Sequence, residues 1–162
     1  MPSKLKTQEE ISQISEKLKF QSKTIVTTNG SFDIIHPAHI RLLEKAKNEG
    51  DILIVLVNSD SSIKRFKGLK RPIQNEKDRA TMLSALQSVD YIVIFDEDTP
   101  LNLLEKIQPD IHVKGGSFLT ERIKQEQSLL EKWGGKFKSF SLEEDYSTTS
   151  IIEKILKSYN SK

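Results

Sequence analysis

Two hydrophobic rhythms alternate along this chain. Runs that are β-branched, continuous or alternating occur at Lys23 to Thr28, Asp51 to Val57, Tyr91 to Phe95, Ile111 to Val113 and Lys136 to Phe140. Each has the length and composition of a strand. Asp51-Ile52-Leu53-Ile54-Val55-Leu56-Val57 carries no polar residue after its aspartate, as a parallel strand buried on both faces would. Lys136-Phe137-Lys138-Ser139-Phe140 alternates instead, the pattern of a half-exposed edge strand. Between the runs, apolar residues return every three or four positions: Ile11, Ile14 and Leu18; Met82, Leu83, Ala85, Leu86 and Val89; Leu101, Leu104 and Ile107; Ile151, Ile152, Ile155 and Leu156. That spacing predicts amphipathic helices.

Polar punctuation agrees with this division. Thr7-Gln8-Glu9-Glu10 has capping-box spacing ahead of a helix that runs to about Lys19. Pro37 suits the first position of a second helix, which Asn48-Glu49-Gly50 stops, and Asn75-Glu76-Lys77-Asp78-Arg79 opens another. Thr99 before Pro100 reads as an N-cap, Pro109 as the stop, and Leu119 to Trp133 as a mixed helical stretch closed by Gly134-Gly135. The expected architecture is α/β: an open, doubly wound parallel sheet of about five strands with helices on both faces. Residues 1–23 are expected as an N-terminal helical arm, 24–158 as the main domain and 159–162 as a loose tail.

Candidate chemistry gathers on Thr27-Thr28-Asn29-Gly30-Ser31-Phe32-Asp33-Ile34-Ile35-His36-Pro37-Ala38-His39-Ile40. Here a strand empties through a glycine turn into a helix N-terminus, where unsatisfied backbone N–H groups and the positive dipole favour an anion, phosphate above all. His36 precedes the first turn and His39 lies within it, so both rings can face a ligand docked there. Two imidazoles at such a helix end point to phosphoryl chemistry, although the spacing alone also fits a surface pair or an incomplete metal site.

Other segments also leave strand ends. Ser59 to Pro72 holds Lys64, Arg65, Lys67, Lys70 and Arg71 between glycine and proline, either a solvated basic loop or a set of cations reaching bound phosphates. Ile111-His112-Val113 runs into Lys114-Gly115-Gly116, where glycines permit close ligand approach and leave Lys114 at the rim; His112, inside the strand, reads as structural. Tyr146-Ser147-Thr148-Thr149-Ser150 begins another helix, and its hydroxyls exceed what one cap needs. Arg79 falls on the face of its helix opposite the apolar stripe.

Composition narrows the rest. A chain of 162 residues fits one domain with one buried core, and a net charge of +2 is too weak to argue for nucleic acid. The basic segment also lacks an aromatic platform apart from Phe66. The absence of cysteine excludes a disulfide framework, a thiolate metal site and a cysteine nucleophile. No run approaches the length of a membrane span and the N-terminus lacks a signal-peptide core, so the cytoplasm is the expected location.

Gly30-Ser31-Phe32-Asp33 followed by His36-Pro37-Ala38-His39 resembles the signature of the nucleotidylyltransferase superfamily, whose motif is His-x-Gly-His. Arg79 to Leu83 through Val89-Asp90, Val113 to Gly116, and Tyr146 to Thr149 are similar in order and spacing to its cytidylyltransferase-like branch. The resemblance runs from about Thr24 to Leu156. Within the branch the chain most resembles the adenylyltransferase domain of the enzymes that make ADP-heptose for lipopolysaccharide, where Lys67-Gly68, Arg71-Pro72 and Asp96 to Pro100 have counterparts. Such a domain is often fused to a sugar kinase, for which this chain has no room.

The resemblance implies a Rossmann-like domain that joins ATP to D-glycero-D-manno-heptose 1-phosphate, releasing ADP-heptose and pyrophosphate. The sugar phosphate would attack the α-phosphorus directly. His36 and His39 would then be triphosphate donors, and Lys67, with Lys64 as its competitor, would neutralise developing charge. Ser147, Thr148 and Thr149 would bind the β- and γ-phosphates. Asn29, Gly30, Ser31, Phe32, Asp33, Lys114, Gly115 and Gly116 would border the nucleotide, and Lys64, Arg71 and Arg79 would be candidates for the sugar phosphate. Mg²⁺ would be carried by the ATP phosphates, with no direct metal ligand from the protein. A homodimer is also implied, with neither nucleic acid nor membrane as partner.

Three departures accompany the match. Ala38 stands at the motif glycine, and Ser117 replaces the acid of Lys-Gly-Gly-Asp. The Arg-Thr-x-Gly of the glycerol-phosphate cytidylyltransferases is replaced by Glu143-Glu144-Asp145-Tyr146, which argues against that subfamily. A methyl at Ala38 leaves the neighbouring N–H groups available, so turnover is expected. The alternatives are a cytidylyltransferase acting on an alcohol phosphate such as glycerol 3-phosphate, and a nucleotide-binding subunit that has lost turnover.

Overall fold

The computed structural model describes residues 3–116, 120–141 and 146–159. Ser117, Leu119, Glu143, Glu144, Asp145 and residues 160–162 of the expected tail lie outside the described residues. One parallel sheet forms from β1 (Leu5–Lys6), β2 (Ile25–Gly30), β3 (Ile52–Asn58), β4 (Tyr91–Phe95), β5 (Ile111–Gly115) and β6 (Lys136–Phe140), in the order β1-β4-β3-β2-β5-β6. The five expected runs are all strands. The sixth, β1, pairs Leu5 with Ile92 and Lys6 with Val93. Two residues cannot establish a period, so this edge strand is invisible to hydrophobic patterning.

The unbroken apolar run of β3 is explained by its place in the sheet. Leu53, Val55 and Val57 face a cluster with Val26, Leu43, Ala46 and Leu83, whereas Ile54 and Leu56 face a second one with Ile11, Ile25, Leu104 and Ile107. Successive side chains point to opposite faces, and both faces are covered. The first cluster is roofed by α2 (Pro37–Lys47) and α4 (Glu76–Ser84), the second by α1 (Gln8–Phe20), α5 (Leu101–Ile107) and α6 (Thr120–Glu131). The expected N-terminal arm thus packs Ile11, fully buried, into the core of the same sheet.

Local chemistry fixes the ends. The Thr7 hydroxyl accepts from the Glu10 amide at 3.1 Å while the Glu10 carboxylate accepts from the Thr7 amide at 2.8 Å, the reciprocal capping box. Asn75 caps α4 by accepting from the amides of Lys77 and Asp78. Pro100, not Thr99, occupies the N-cap position of α5, and Gln108 ends that helix in a left-handed conformation, φ 47°. Gly50 is required by contact rather than by φ: a Cβ there would lie 2.7 Å from Val26 and 2.9 Å from the Thr24 carbonyl.

A second element, a helix, is also unmarked by the hydrophobic pattern. Asp60–Lys67 forms α3, whose Ser59 N-cap accepts from the Ser62 amide at 3.0 Å, so the first half of the basic segment is helical. At the N-terminal edge of the sheet, Asp51, Asp90 and Asp110 accept from the amides of Thr24, Leu53 and Ile25 on neighbouring strands. The carboxyl edge carries the candidate chemistry. Tyr159, expected in the tail, is instead the last residue of α7 (Thr148–Tyr159).

Candidate active site

Strand order reverses at β2: β3 and β4 build outward on one side, β5 and β6 on the other. Loops leaving the carboxyl ends of β2 and β5 therefore diverge and open a crevice. That cleft is lined by Asn29, Gly30, Ser31 and Phe32 from the end of β2, His39 and Leu42 from α2, and Phe66 and Lys67 from α3. Asn58, Asp98, Thr99 and Pro100 line it on the β3 and β4 side, and Lys114, Gly115, Arg122 and Glu126 on the β5 side. Phe32 turns the chain with φ 46°, and its ring folds back so closely that a Cβ on Gly30 would stand 3.0 Å away. A side chain there would have to push the ring aside by a few tenths of an ångström.

His36 is the N-cap of α2, and its carbonyl accepts from the His39 amide at 2.9 Å. The two imidazoles stack with centroids 3.7 Å apart, and His39 also meets Phe32 at 5.2 Å. His39 reaches the cleft while His36 stands behind it, 6.4 Å from the Tyr146 ring. Burial, then the His36 ring and the Lys67 ammonium, push His39 down to about 4, and burial lowers His36 as well. At neutral pH His39 is thus a neutral N–H donor, and the cationic charge beside it is that of Lys67. Partial burial, helped by Arg71 and Arg79, lowers the Lys67 pKa against the opposing pull of Asp33.

His39 at about 4 and the fully buried His112 at about 3 both lie below the ordinary value of 6.5. Between pH 6.5 and 5 the unfolded chain binds more protons at these positions, so stability rises with pH and is lost as pH falls. Each histidine costs roughly 2 kcal/mol at pH 5 relative to neutrality. Melting temperature should drop across that window, and His112→Gln should flatten the slope. A flat wild-type profile would overturn the assignment of neutral buried rings.

Asp33, Arg71 and Arg79, expected at the ligand, are each engaged by protein partners. Asp33 is 1% exposed and accepts from Arg71 Nε at 2.7 Å and from the amides of Ile73 and Gln74 at 2.8 and 3.0 Å. Burial pushes this carboxyl up, but the Gln74 and Ile73 amides and Arg71 together hold it below the usual range. Asp33 is therefore a staple for the loop after α3, and it holds the Arg71 guanidinium. Arg79 is fully buried and donates to Gln74 O, Ser31 O and Asp60 Oδ1 at 3.1, 2.6 and 2.8 Å. It braces the cleft wall from inside.

The remaining candidates divide. Lys67 lines the cleft and Lys64, one turn earlier on α3, does not. Ala38 is buried and lies outside the cleft lining. Ser147, Thr148 and Thr149 sit at the start of α7, outside that lining. Ser147 and Ser150 cap each other, hydroxyl to amide, at 3.0 and 3.1 Å, and the Thr148 hydroxyl points to the Ile34 carbonyl at 3.5 Å. Their helix end thus neighbours the His36 loop without entering the cleft.

Lys114 is not at the rim. It is 3% exposed, with Nζ 2.5 Å from Glu126 Oε1, and His112 behind it receives or gives a hydrogen bond at Thr27 Oγ1, 2.8 Å away. Glu126, Arg122 and Asn58 were missed as site residues. The only signals were a charged pair four apart on α6 and a polar residue closing the apolar run of β3. The cleft carboxylates are engaged, Asp98 with Arg65 and Glu126 with Lys114, and no cluster of three metal-ligating side chains occurs among the described residues.

A parallel sheet whose crevice lies where strand order reverses, with glycine, imidazole and lysine at its mouth, defines a nucleotide-binding α/β protein. The chain belongs to the cytidylyltransferase-like family, whose model matches residues 27–154. It is 44% identical over 157 residues, 97% of its length, to the bifunctional protein HldE of Syntrophotalea carbinolica, of which it covers 32%. Against the bifunctional protein HldE of Helicobacter acinonychis it is 50% identical over 143 residues, 88% of this chain and 30% of that one. The chain thus spans about a third of the length of these curated relatives. Among solved structures, the lipopolysaccharide core biosynthesis protein of Thermoplasma volcanium matches with TM-score 0.63 and 32% identity, over 77% of this chain and 99% of that one. Pantoate-beta-alanine ligase of Francisella tularensis, 14% identical with TM-score 0.65 over 94% of this chain and 77% of its own, shares the fold. No helix among the described residues is long and apolar enough to cross a membrane.

Proposed function

We propose that this protein is an adenylyltransferase that condenses ATP with D-glycero-D-manno-heptose 1-phosphate, giving ADP-heptose and pyrophosphate. The observation that carries this reading is the switch-point cleft bearing His39 and Lys67, on a chain that matches bifunctional HldE proteins over 97% of its length. The solved relative named for lipopolysaccharide core biosynthesis supports the sugar. A phosphate oxygen of the heptose 1-phosphate attacks the α-phosphorus of ATP, and the bond to pyrophosphate breaks. The described cleft supplies donors and charge and no cysteine, so positioning and electrostatic stabilisation carry the rate.

His39 donates N–H to the phosphates, with His36 stacked behind it to fix its plane. Lys67 neutralises charge that develops as pyrophosphate leaves. Asn29, Gly30, Ser31, Phe32, Lys114 and Gly115 enclose the nucleotide, and Gly116 lies just beyond. Because the carboxylates lining the cleft are already paired, its donor set fits Mg²⁺ held on ATP oxygens. That ion supplies charge neutralisation at the phosphates. Ser147, Thr148 and Thr149 serve the β- and γ-phosphates only through their helix end. Exposed Ile155, Leu156 and Tyr159 on α7 offer an apolar face for a homodimer. The proposed setting is the cytoplasm.

The test is pyrophosphate release with a panel of sugar 1-phosphates and glycerol 3-phosphate, each with ATP or CTP. ATP with the heptose phosphate should be the productive pair. CTP with glycerol 3-phosphate would replace this reading by the cytidylyltransferase one, and tight ATP binding without release would mark a subunit that has lost turnover. On the productive pair, Lys67→Ala should lower kcat at least about tenfold while changing ATP Kd less, because charge that forms with bond breaking is felt in the transition state. Lys64→Ala should stay within a few-fold of wild type. The reverse order would exchange the two lysines.

A further inference from the structure

The deep wall of the cleft holds a buried polar cluster that the proposed reaction does not yet use. Lys114 and Glu126 are 3% and 2% exposed, both line the cleft, and Lys114 Nζ lies 2.5 Å from Glu126 Oε1. Glu126 Oε2 is fully enclosed with no hydrogen bond, and so is His112 Nε2, 3.8 Å away. Burying two charges costs several kcal/mol per ion, so a stable core would favour apolar residues there. Lining a nucleotide-sized crevice, the pair has another use.

We propose that Glu126 is a positioning residue, which holds the Lys114 ammonium at the floor of the cleft as a cationic donor to the bound nucleotide. This rests on the nucleotide-binding reading above. A lysine stripped of water loses its proton readily unless a carboxylate faces it. Burial is the largest influence on Lys114 and lowers its pKa; Glu126 opposes that, and Arg122 adds to it. His112 stays neutral beneath them, because burial and Lys114 push it to about 3, so it does not compete for the carboxylate. Glu126 comes from α6 and Lys114 from β5, so the pair also ties that helix to the strand end beside Gly115.

The experiment measures ATP affinity by titration calorimetry from pH 6 to 9 in wild type and Glu126→Gln. The glutamine keeps the shape and removes the countercharge. Affinity should fall roughly ten- to a hundredfold toward the alkaline end of that range, the scale of one charge-assisted hydrogen bond, and recover toward wild type at its acid end as Lys114 regains its proton. His39, held at about 4, stays neutral across this range and Lys67 is common to both proteins, so the difference between the curves reports the Lys114–Glu126 pair, whose carboxyl is pushed up by burial. Glu126→Asp should restore much of the affinity at the alkaline end. Should Glu126→Gln fail to fold, Lys114→Met/Glu126→Leu removes both charges together, and its ATP affinity should be weak at every pH. Wild-type affinity and slope in a folded variant would overturn the proposal alone. Absence of ATP binding by the wild type would overturn the nucleotide reading, and this inference with it.

Discussion

His39→Ala should lower kcat/KM at least about 10²-fold, the scale for losing one preorganised donor to developing phosphate charge, while the protein remains folded. Its ring is the one imidazole that lines the cleft, wedged between Phe32 at 5.2 Å and His36 at 3.7 Å. His36→Ala should fall by the same order through the loss of that stacking partner. The measurement is steady-state pyrophosphate release beside a thermal melt. His39→Ala has a second signature, because a ring held at about 4 resists protonation in the folded state. Its melting temperature should therefore decline less than that of wild type between pH 6.5 and 5. Near-wild-type turnover in a folded His39→Ala protein would remove the imidazole from the mechanism.

Arg79→Ala should cost about 3–5 kcal/mol of stability, the range for stripping one partner from a buried ion pair. Asp60 would lose its cation, and the carbonyls of Ser31 and Gln74 would lose their donor, in a site where Arg79 is fully buried. For a domain of this size the melting temperature should drop by roughly 10 °C or more. Arg79→Lys should rescue little, since one ammonium cannot reach three acceptors set for a planar fork. If Arg79→Ala instead melts like wild type and raises only the KM for the sugar phosphate, the arginine returns to the substrate-binding role its sequence position implied.

Those two residues mark how far sequence reasoning reached. The His36 and His39 spacing, the glycine before Phe32 and the helix start at Pro37 are local features, written within fourteen consecutive residues from Thr27 to Ile40. The turn of backbone that presents them depends on near neighbours, so its chemistry was legible. The arginine offered no such cue. The expected stripe set it opposite Met82 and Leu83, facing water, whereas Met82 is half exposed and Arg79 is buried one turn before Leu83, with acceptors on Ser31, Gln74 and Asp60.

The sequence by itself determined the five long strands, most helix starts, the double-sided burial of β3 and the strand-to-helix junction at the phosphate-seeking end of α2. Each follows from periodicity, cap chemistry or turn chemistry, which act over a few residues. The tertiary structure alone decided which charges are paired within the fold and which of them line the cleft. Asp33 meets Arg71 across 38 positions, Arg79 meets Ser31 across 48, and Lys114 meets Glu126 on a different element. Whether a carboxylate is a ligand contact or a staple depends on what stands within hydrogen-bond distance of it. That neighbour is chosen by packing between distant segments, which no local pattern encodes.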